Sequence, residues 1–287
     1  MGKIKNEKGE ALLEKEFKVL DHGFVRLIDY MGDDNAIVQA ARVSYGAGTK
    51  KVSEDRGLIR YLMRHRHTSP FEMVEMKFHI KLPIFVARQW IRHRTANVNE
   101  YSGRYSVMKE EFYRPEPEDI RYQSTVNKQG RSTEEVPDDL KNKLLDVLKK
   151  SQGESYQDYD YFVEAGLARE LARINLPLSL YTEWYWKIDL HNLFHFLALR
   201  MDPHAQYEIQ LYAKIMGDMV KQIYPLSWEA FFDYRLTAQF FSGPELKVLK
   251  KNLDSVNYTL DELIEFGLPK GEATEFLEKL WRVKGFK

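Results

Sequence analysis

Apolar and polar residues alternate strictly at positions 74–82: Val74, Met76, Phe78, Ile80 and Leu82 point one way, with charged residues or histidine between them. A period of two predicts a β-strand with one buried face. The same period returns at 178–188, with Leu180, Thr182, Trp184 and Trp186 on one side and Tyr181, Glu183 and Tyr185 on the other. "GFVRLIDYMG" (23–32) reads as a further strand. Elsewhere the spacing lengthens to that of helices. Asp33 or Asp34 can cap a helix over 35–45, and Ser53 one over 53–67, while Pro83 suits the first turn of one over 83–93. A long helix or helix pair is expected at about 137–165, and a short helix at 167–177 must stop before Pro177. Asp189 can cap 190–200, and Pro203 can open the helix that follows. Residues 1–16 are charged and expected to be loosely attached. "NVNEYSG" (97–103) is loop material, and the polar stretch 122–137 is expected to be a mobile insertion. After about residue 230 only short amphipathic helical pieces remain. The fold class is α+β.

Composition narrows the function. An apolar content of 44% with 13% aromatics describes a globular protein. Forty-three basic residues balance 43 acidic ones, so the whole-chain field attracts neither nucleic acid nor an anionic membrane, and any anion site must be a local cluster. The first residues lack an apolar signal core and no apolar run is long enough to span a bilayer, so the expected location is the cytoplasm. Cysteine is absent, which excludes disulfides, thiolate metal sites and a thiol nucleophile. No glycine-rich phosphate loop is present, so a bound nucleotide would need side-chain cations.

Such cations are gathered in "WIRHRTANVNEYSGRYS" (90–106). Arg92, His93, Arg94 and Arg104 stand there without a lysine, and Glu100 is the only acid. Arginine without lysine points to two-pronged binding of phosphate or carboxylate. Gln89, Arg92 and His93 fall at i, i+3 and i+4, on one helix face. Other readings of these residue types stay open. The arginines could be structural, "HRH" at 65–67 could compensate a helix dipole, and Arg173 and Arg200 could be helix-end caps. His191 and His195 have the i, i+4 spacing of metal ligands, with Asp189 nearby. No glutamate stands between them as in a metallohydrolase, and no metal is assigned. A nucleotide- or RNA-binding module and a histidine-metal hydrolase are the alternatives to an enzyme acting on a nucleotide.

"RHRTANVNEYSGR" resembles the signature of flavin-dependent thymidylate synthases: Arg92, His93 and Arg94, then seven residues, then Ser102. The resemblance runs in order through "ARVSY" (41–45), "HTSPFE" (67–72), "PIFVARQWIRHR" (83–94), "ARINLPLSLYT" (172–182), "FHFLALR" (194–200) and "HAQYEIQ" (204–210). It covers about residues 20–230 and implies a central, largely antiparallel sheet with long helices in a domain over 1–230; the 122–137 insertion and the tail lie outside the pattern, and the tail is expected to be a helical C-terminal extension over 231–287 packed on the same domain. It implies a methyltransferase of nucleotide biosynthesis. A methylene group from methylenetetrahydrofolate, with hydride drawn from NADPH through tightly bound FAD, converts dUMP to dTMP without a cysteine nucleophile. Carried over by position, Gln89, Arg92, Glu100, Tyr101, Ser102, Gly103, Arg104 and Arg173 would hold dUMP, with Arg104 and Arg173 at its phosphate. Arg200 would lie against the pyrimidine and stabilise its N3-deprotonated form. Ser44, Ser69, Arg92, His93, Arg94, Glu100, Asp189, His191 and His195 would hold FAD, and His67 would sit near the flavin and the folate. The sites would be shared within a homotetramer, with Arg92 and Arg94 far along one chain from His191 and His195. Asn97 stands where the family often has serine, and Asp189 and His191 where asparagine and arginine are more usual.

Overall fold

The alternating stretch at 74–82 becomes the middle strand of a sheet. The computed structural model describes residues 6–43, 52–126, 128–253 and 255–285. Helix α1 (Glu7–Leu12) leads into strands β1 (Glu16–Val19) and β2 (Gly23–Met31). Helices α2 (Asp34–Arg42), α3 (Val52–Arg64) and α4 (Ser69–Glu72) come before β3 (Glu75–Pro83), α5 (Ile84–Trp90) and β4 (Asn97–Glu100). A hairpin of β5 (Arg121–Gln123) and β6 (Arg131–Glu135) precedes α6 (Asp138–Glu164) and α7 (Arg169–Ala172). Then come β7 (Tyr181–Asp189), α8 (Leu190–Arg200), α9 (Tyr207–Ile223) and α10 (Pro225–Phe231). These elements belong to one unit, residues 1–236, and α11 (Gly243–Leu253), α12 (Leu260–Glu265) and α13 (Lys270–Lys284) to a second, residues 237–287. A π-helical turn, Phe232–Leu236, follows α10 at the end of the first unit.

The main sheet has the order β1-β2-β3-β7-β4, antiparallel throughout. Its buried face is the one the alternation marked. Val74, Phe78, Ile80 and Leu82 are fully buried, and Phe78 and Ile80 lie opposite Trp186 and Trp184 of β7. Helices α5, α8 and α9 cover that face. Trp90 of α5 packs within 4.6 Å of the Phe196 ring, 5.3 Å of Trp186 and 5.9 Å of Tyr212. A buried aromatic of this kind contributes about 3–5 kcal/mol relative to alanine. It also fixes where α5 ends, and so where Gln89 and His93 stand.

Local signals placed several helix starts. Asp33 caps α2, accepting from the backbone N–H groups of Asn35 and Ala36, and Asp189 caps α8 by accepting from that of Asn192. Other expectations need correction. Asn6 caps α1 and its side chain donates to the carbonyl of Ile223 at 3.0 Å, while Tyr30 donates to Glu10 at 2.9 Å, so the described part of the N-terminal segment is anchored. Ser53 lies inside the first turn of α3 and not before it. Helix α5 ends at Trp90, and Arg92 and His93 occupy the turn after it. Asn97–Glu100 pairs with β7 as an edge strand, because a free ladder outweighs weak local propensity. The 122–137 stretch forms most of the β5–β6 hairpin. Pro203 sits in a turn, its neighbour Asp202 accepting from the backbone of His204 at 2.7 Å, and α9 starts only at Tyr207. Among the described residues no helix is long and apolar enough to cross a membrane.

Candidate active site

Two helix ends meet where the cation-rich segment begins. The turn after α5 brings the His93 ring edge-on to Phe196 of α8, with centroids 4.9 Å apart. Arg200, the last residue of α8, donates from Nε to His93 Nε2 at 3.0 Å. The ring of His195 lies 6.0 Å from that of His93, so two helix ends held to be distant lie together within one chain. Burial, then the charge of Arg200, then His195 bring the His93 pKa down to about 4. His93 is therefore neutral at neutral pH, and its Nε2 lone pair faces the guanidinium. Burial also lowers the pKa of Arg200, although a guanidinium keeps its charge under such conditions. With Nε engaged, the two terminal nitrogens of Arg200 have no protein partner among the described residues.

Gln89 and Arg200 line one cavity of about 450 Å³. The Gln89 side-chain oxygen is buried and has no hydrogen-bond partner among the described residues. A buried acceptor left unpaired costs about 1–3 kcal/mol, a penalty that a ligand N–H removes. Gln129, Asp202, His204 and Gln206 also line the cavity and were not singled out from sequence. Two of them lie within "HAQYEIQ", so a signal was present; Gln129 had none.

The depressed pKa of His93 has a consequence for stability. Its folded value, about 4, lies below the ordinary 6.5, so the unfolded chain binds more protons between those limits. The contribution is full above pH 6.5 and is lost as pH falls toward 4. For a half-exposed ring, solvent screening reduces it to about 1–2 kcal/mol. A His93→Gln variant is expected to lose less melting temperature than wild type between pH 7 and pH 5; equal losses would show that another group titrates.

A second group forms at the sheet edge. Strand β4 pairs Glu100 with Trp184, and Thr182 donates to the Glu100 carboxylate at 2.8 Å. Tyr101 continues the pairing by donating its N–H to Glu183 O, and its hydroxyl donates to Val107 O, each at 2.8 Å. The chain then turns tightly: Ser102 O accepts from Tyr105 N at 3.0 Å and Ser106 N at 3.1 Å, and Ser102 Oγ accepts from Arg104 N at 3.3 Å. Gly103 leaves room there for two side chains. A Cβ would lie 2.7 Å from Met108 Sδ and 3.3 Å from Arg173 Nη1. Arg104 forms an exposed pair with Glu170 at 3.2 Å, an arrangement of about 0–1 kcal/mol that an anion can displace. Arg173 is exposed, and among the described residues it has no carboxylate partner.

The expected cofactor residues are dispersed. Arg92 and Arg94 are exposed, with no acidic partner among the described residues. His67 follows α3, with its ring stacked on Tyr61 at 5.9 Å, and shares with Ser69 a separate cavity of about 500 Å³. Asp189 has both carboxylate oxygens on Asn192, at 2.9 and 2.7 Å, so its first task is the α8 cap. His191 is half-buried in the first turn of that helix. Ser44 lies outside the described residues. No cluster of three His, Asp or Glu able to hold a metal stands among those described.

Comparison with known proteins follows the same segments. The family described as thymidylate synthase complementing protein matches residues 26–226. A flavin-dependent thymidylate synthase from Wolbachia pipientis is 55% identical over 270 residues, covering 94% of this chain and 95% of that protein. One from Treponema denticola is 56% identical, covering 93% and 98%. Among solved structures, a UMP/dUMP methylase, PolB from Streptomyces cacaoi bound with 5-bromo-UMP, aligns with a TM-score of 0.69 and 32% identity. It covers 77% of this chain and 99% of that one.

Proposed function

Because the chain belongs to the flavin-dependent thymidylate synthase family, we propose that it converts dUMP to dTMP, with methylenetetrahydrofolate as carbon donor and NADPH-reduced FAD as hydride donor. One arrangement carries the reading: an unpaired buried Gln89 oxygen and the terminal nitrogens of Arg200 share a cavity beside a neutral histidine, in a chain without cysteine. A uracil ring matches it. Gln89 can accept N3–H, the one ring N–H of dUMP, while the flat guanidinium fork donates to a ring carbonyl beside it; when that proton passes to solvent, the charge of Arg200 stabilises the ring anion. Removing that proton makes C5 more nucleophilic, the activation that a thiolate would otherwise supply. His93 holds Arg200 from behind by its Nε, so the fork meets the ring in a set orientation.

Arg104 and Arg173 are assigned the nucleotide phosphate, with Ser102, Gly103, Glu100 and Tyr101 shaping the loop around it. A flavin dinucleotide is assigned to the same region: Arg92 and Arg94, exposed and without an acidic partner among the described residues, are available to its phosphates, and between them in sequence stands His93, whose ring lies 6.0 Å from that of His195. When bound, the flavin supplies the hydride, and the chain positions and polarises. His67 and Ser69, in their own cavity, are assigned to the flavin and folate side. The active assembly is a homotetramer whose sites draw on more than one chain.

Tritium release from dUMP labelled at C5 tests the function. Release is expected only with the folate, NADPH and a yellow, flavin-loaded protein. No release from such a protein would overturn the proposal. Ser102→Ala is expected to keep measurable turnover, about tenfold below wild type: Ser102 Oγ accepts from Arg104 N, which leaves its O–H free to donate to dUMP, and among the described residues no histidine is bonded to it as a base. A trapped Ser102–uracil adduct would contradict this.

A further inference from the structure

The β5–β6 hairpin is fastened to the segment that walls the Gln89–Arg200 cavity. Arg131 of β6 pairs with Glu208, a carboxylate almost fully buried in the first turn of α9. Glu208 also accepts from Tyr113 at 3.1 Å and from Gln206 at 2.9 Å. Arg131 donates to Asp119 O at 3.0 Å, and its guanidinium lies 5.0 Å from the Tyr207 ring centre. The turn of the hairpin is held as well: Gln123 Nε2 donates to Lys128 O at 2.8 Å and to Gly130 O at 3.0 Å, on either side of Gln129. Gln129 lines the same cavity as Gln89 and Arg200, and it also lines a second cavity of about 620 Å³.

We propose that the hairpin is a wall of the nucleotide site and that Gln129 is a substrate-positioning residue contacting the nucleoside part of dUMP. This rests on reading the Gln89–Arg200 cavity as that site. The chemistry selects the nucleoside over the phosphate. A primary amide carries a donor and an acceptor side by side, and the uracil edge presents carbonyl acceptors flanking an N–H donor. Arg200 provides donors only, so amides must supply any acceptor the ring needs while it is still protonated. Being neutral, Gln129 offers a phosphate no ion pair, and its hydrogen bonds to the nucleoside are not screened by salt.

Titration of dUMP into the FAD-loaded protein tests this. Gln129→Ala is expected to weaken dUMP binding about tenfold, equally at low and high salt, with wild-type melting temperature and flavin content, since the side chain is exposed and supports no core. A paired Arg131→Met, Glu208→Gln variant removes the fastening without stranding a buried charge and is expected to lose affinity by a similar factor. Unchanged affinity in Gln129→Ala overturns the inference, and so does a loss that disappears at high salt. Gln89→Ala, measured alongside, separates the two levels. If it weakens dUMP binding while Gln129→Ala does not, only the role of the hairpin falls. If neither does, the reading of the cavity as the nucleotide site falls with it.

Discussion

Replacing Arg200 with lysine is expected to lower kcat by about 100- to 1,000-fold while dUMP affinity changes by less than about tenfold. Lysine keeps a positive charge, which is enough to attract the nucleotide. It loses three things that the geometry shows. The Nε that donates to His93 at 3.0 Å disappears, so nothing orients the cation from behind. The planar fork becomes a single point, which no longer matches a flat ring. A half-buried ammonium beside a neutral imidazole also gives up its proton more readily than a guanidinium does. Each loss matters most as negative charge builds on the ring, so the effect belongs in turnover and not in binding. Steady-state kinetics and dUMP titration on the same preparation check the split. Wild-type kcat in this variant would remove Arg200 from the mechanism.

The buried strands were legible because burial on one face leaves a mark in the chain. β3 and β7 showed alternation that the structure turned into a packed sheet face. The caps Asp33 and Asp189 were legible because their hydrogen bonds are local, to backbone groups within three residues. The edge strand Asn97–Glu100 was not, because all four of its residues are exposed and its partner β7 lies far along the chain. The hairpin was hidden for a related reason: its strands are held by polar pairings such as Arg121–Glu135 and Arg131–Glu208, which no apolar pattern announces.

The site divides in the same way. Helical spacing was expected to put Gln89, Arg92 and His93 on one face, but α5 ends at Trp90 and only Gln89 of the three lies on it. The bond from Arg200 to His93 joins residues 107 apart, and nothing in either segment specifies it. The closeness of Met108 and Arg173 to Gly103 becomes visible only in the structure. Asp189 was assigned to the cofactor by position alone, while its carboxylate is occupied at the start of α8.

Mixing two inactive proteins, Arg200→Ala and Arg173→Ala, is expected to restore about a quarter of wild-type activity after subunit exchange. Each variant alone should be nearly inactive, since one loses the group at the ring and the other a group at the phosphate. The contacts within one chain sort the residues assigned to dUMP into two sets. Gln89 and Arg200 share a cavity, and Arg200 is bonded to His93. Gly103 lies against Arg173, and Arg104 pairs with Glu170 near the start of α7. Among the described residues no hydrogen bond or ion pair joins the two sets, and each lacks half of what a nucleotide requires. Arg173 is an exposed cation with no acid to neutralise it among the described residues, while Gln89 has a buried oxygen with no donor. Closed symmetry lets one chain's loop complete its neighbour's cavity. A site then needs one chain carrying an intact Arg200 and another carrying an intact Arg173. Random reassortment of equal amounts provides each with probability about one half, hence about one quarter for both. Native mass spectrometry establishes that exchange has occurred. Full exchange without recovered activity would mean that a single chain carries the whole dUMP site, and the two sets would then have to close on each other within it.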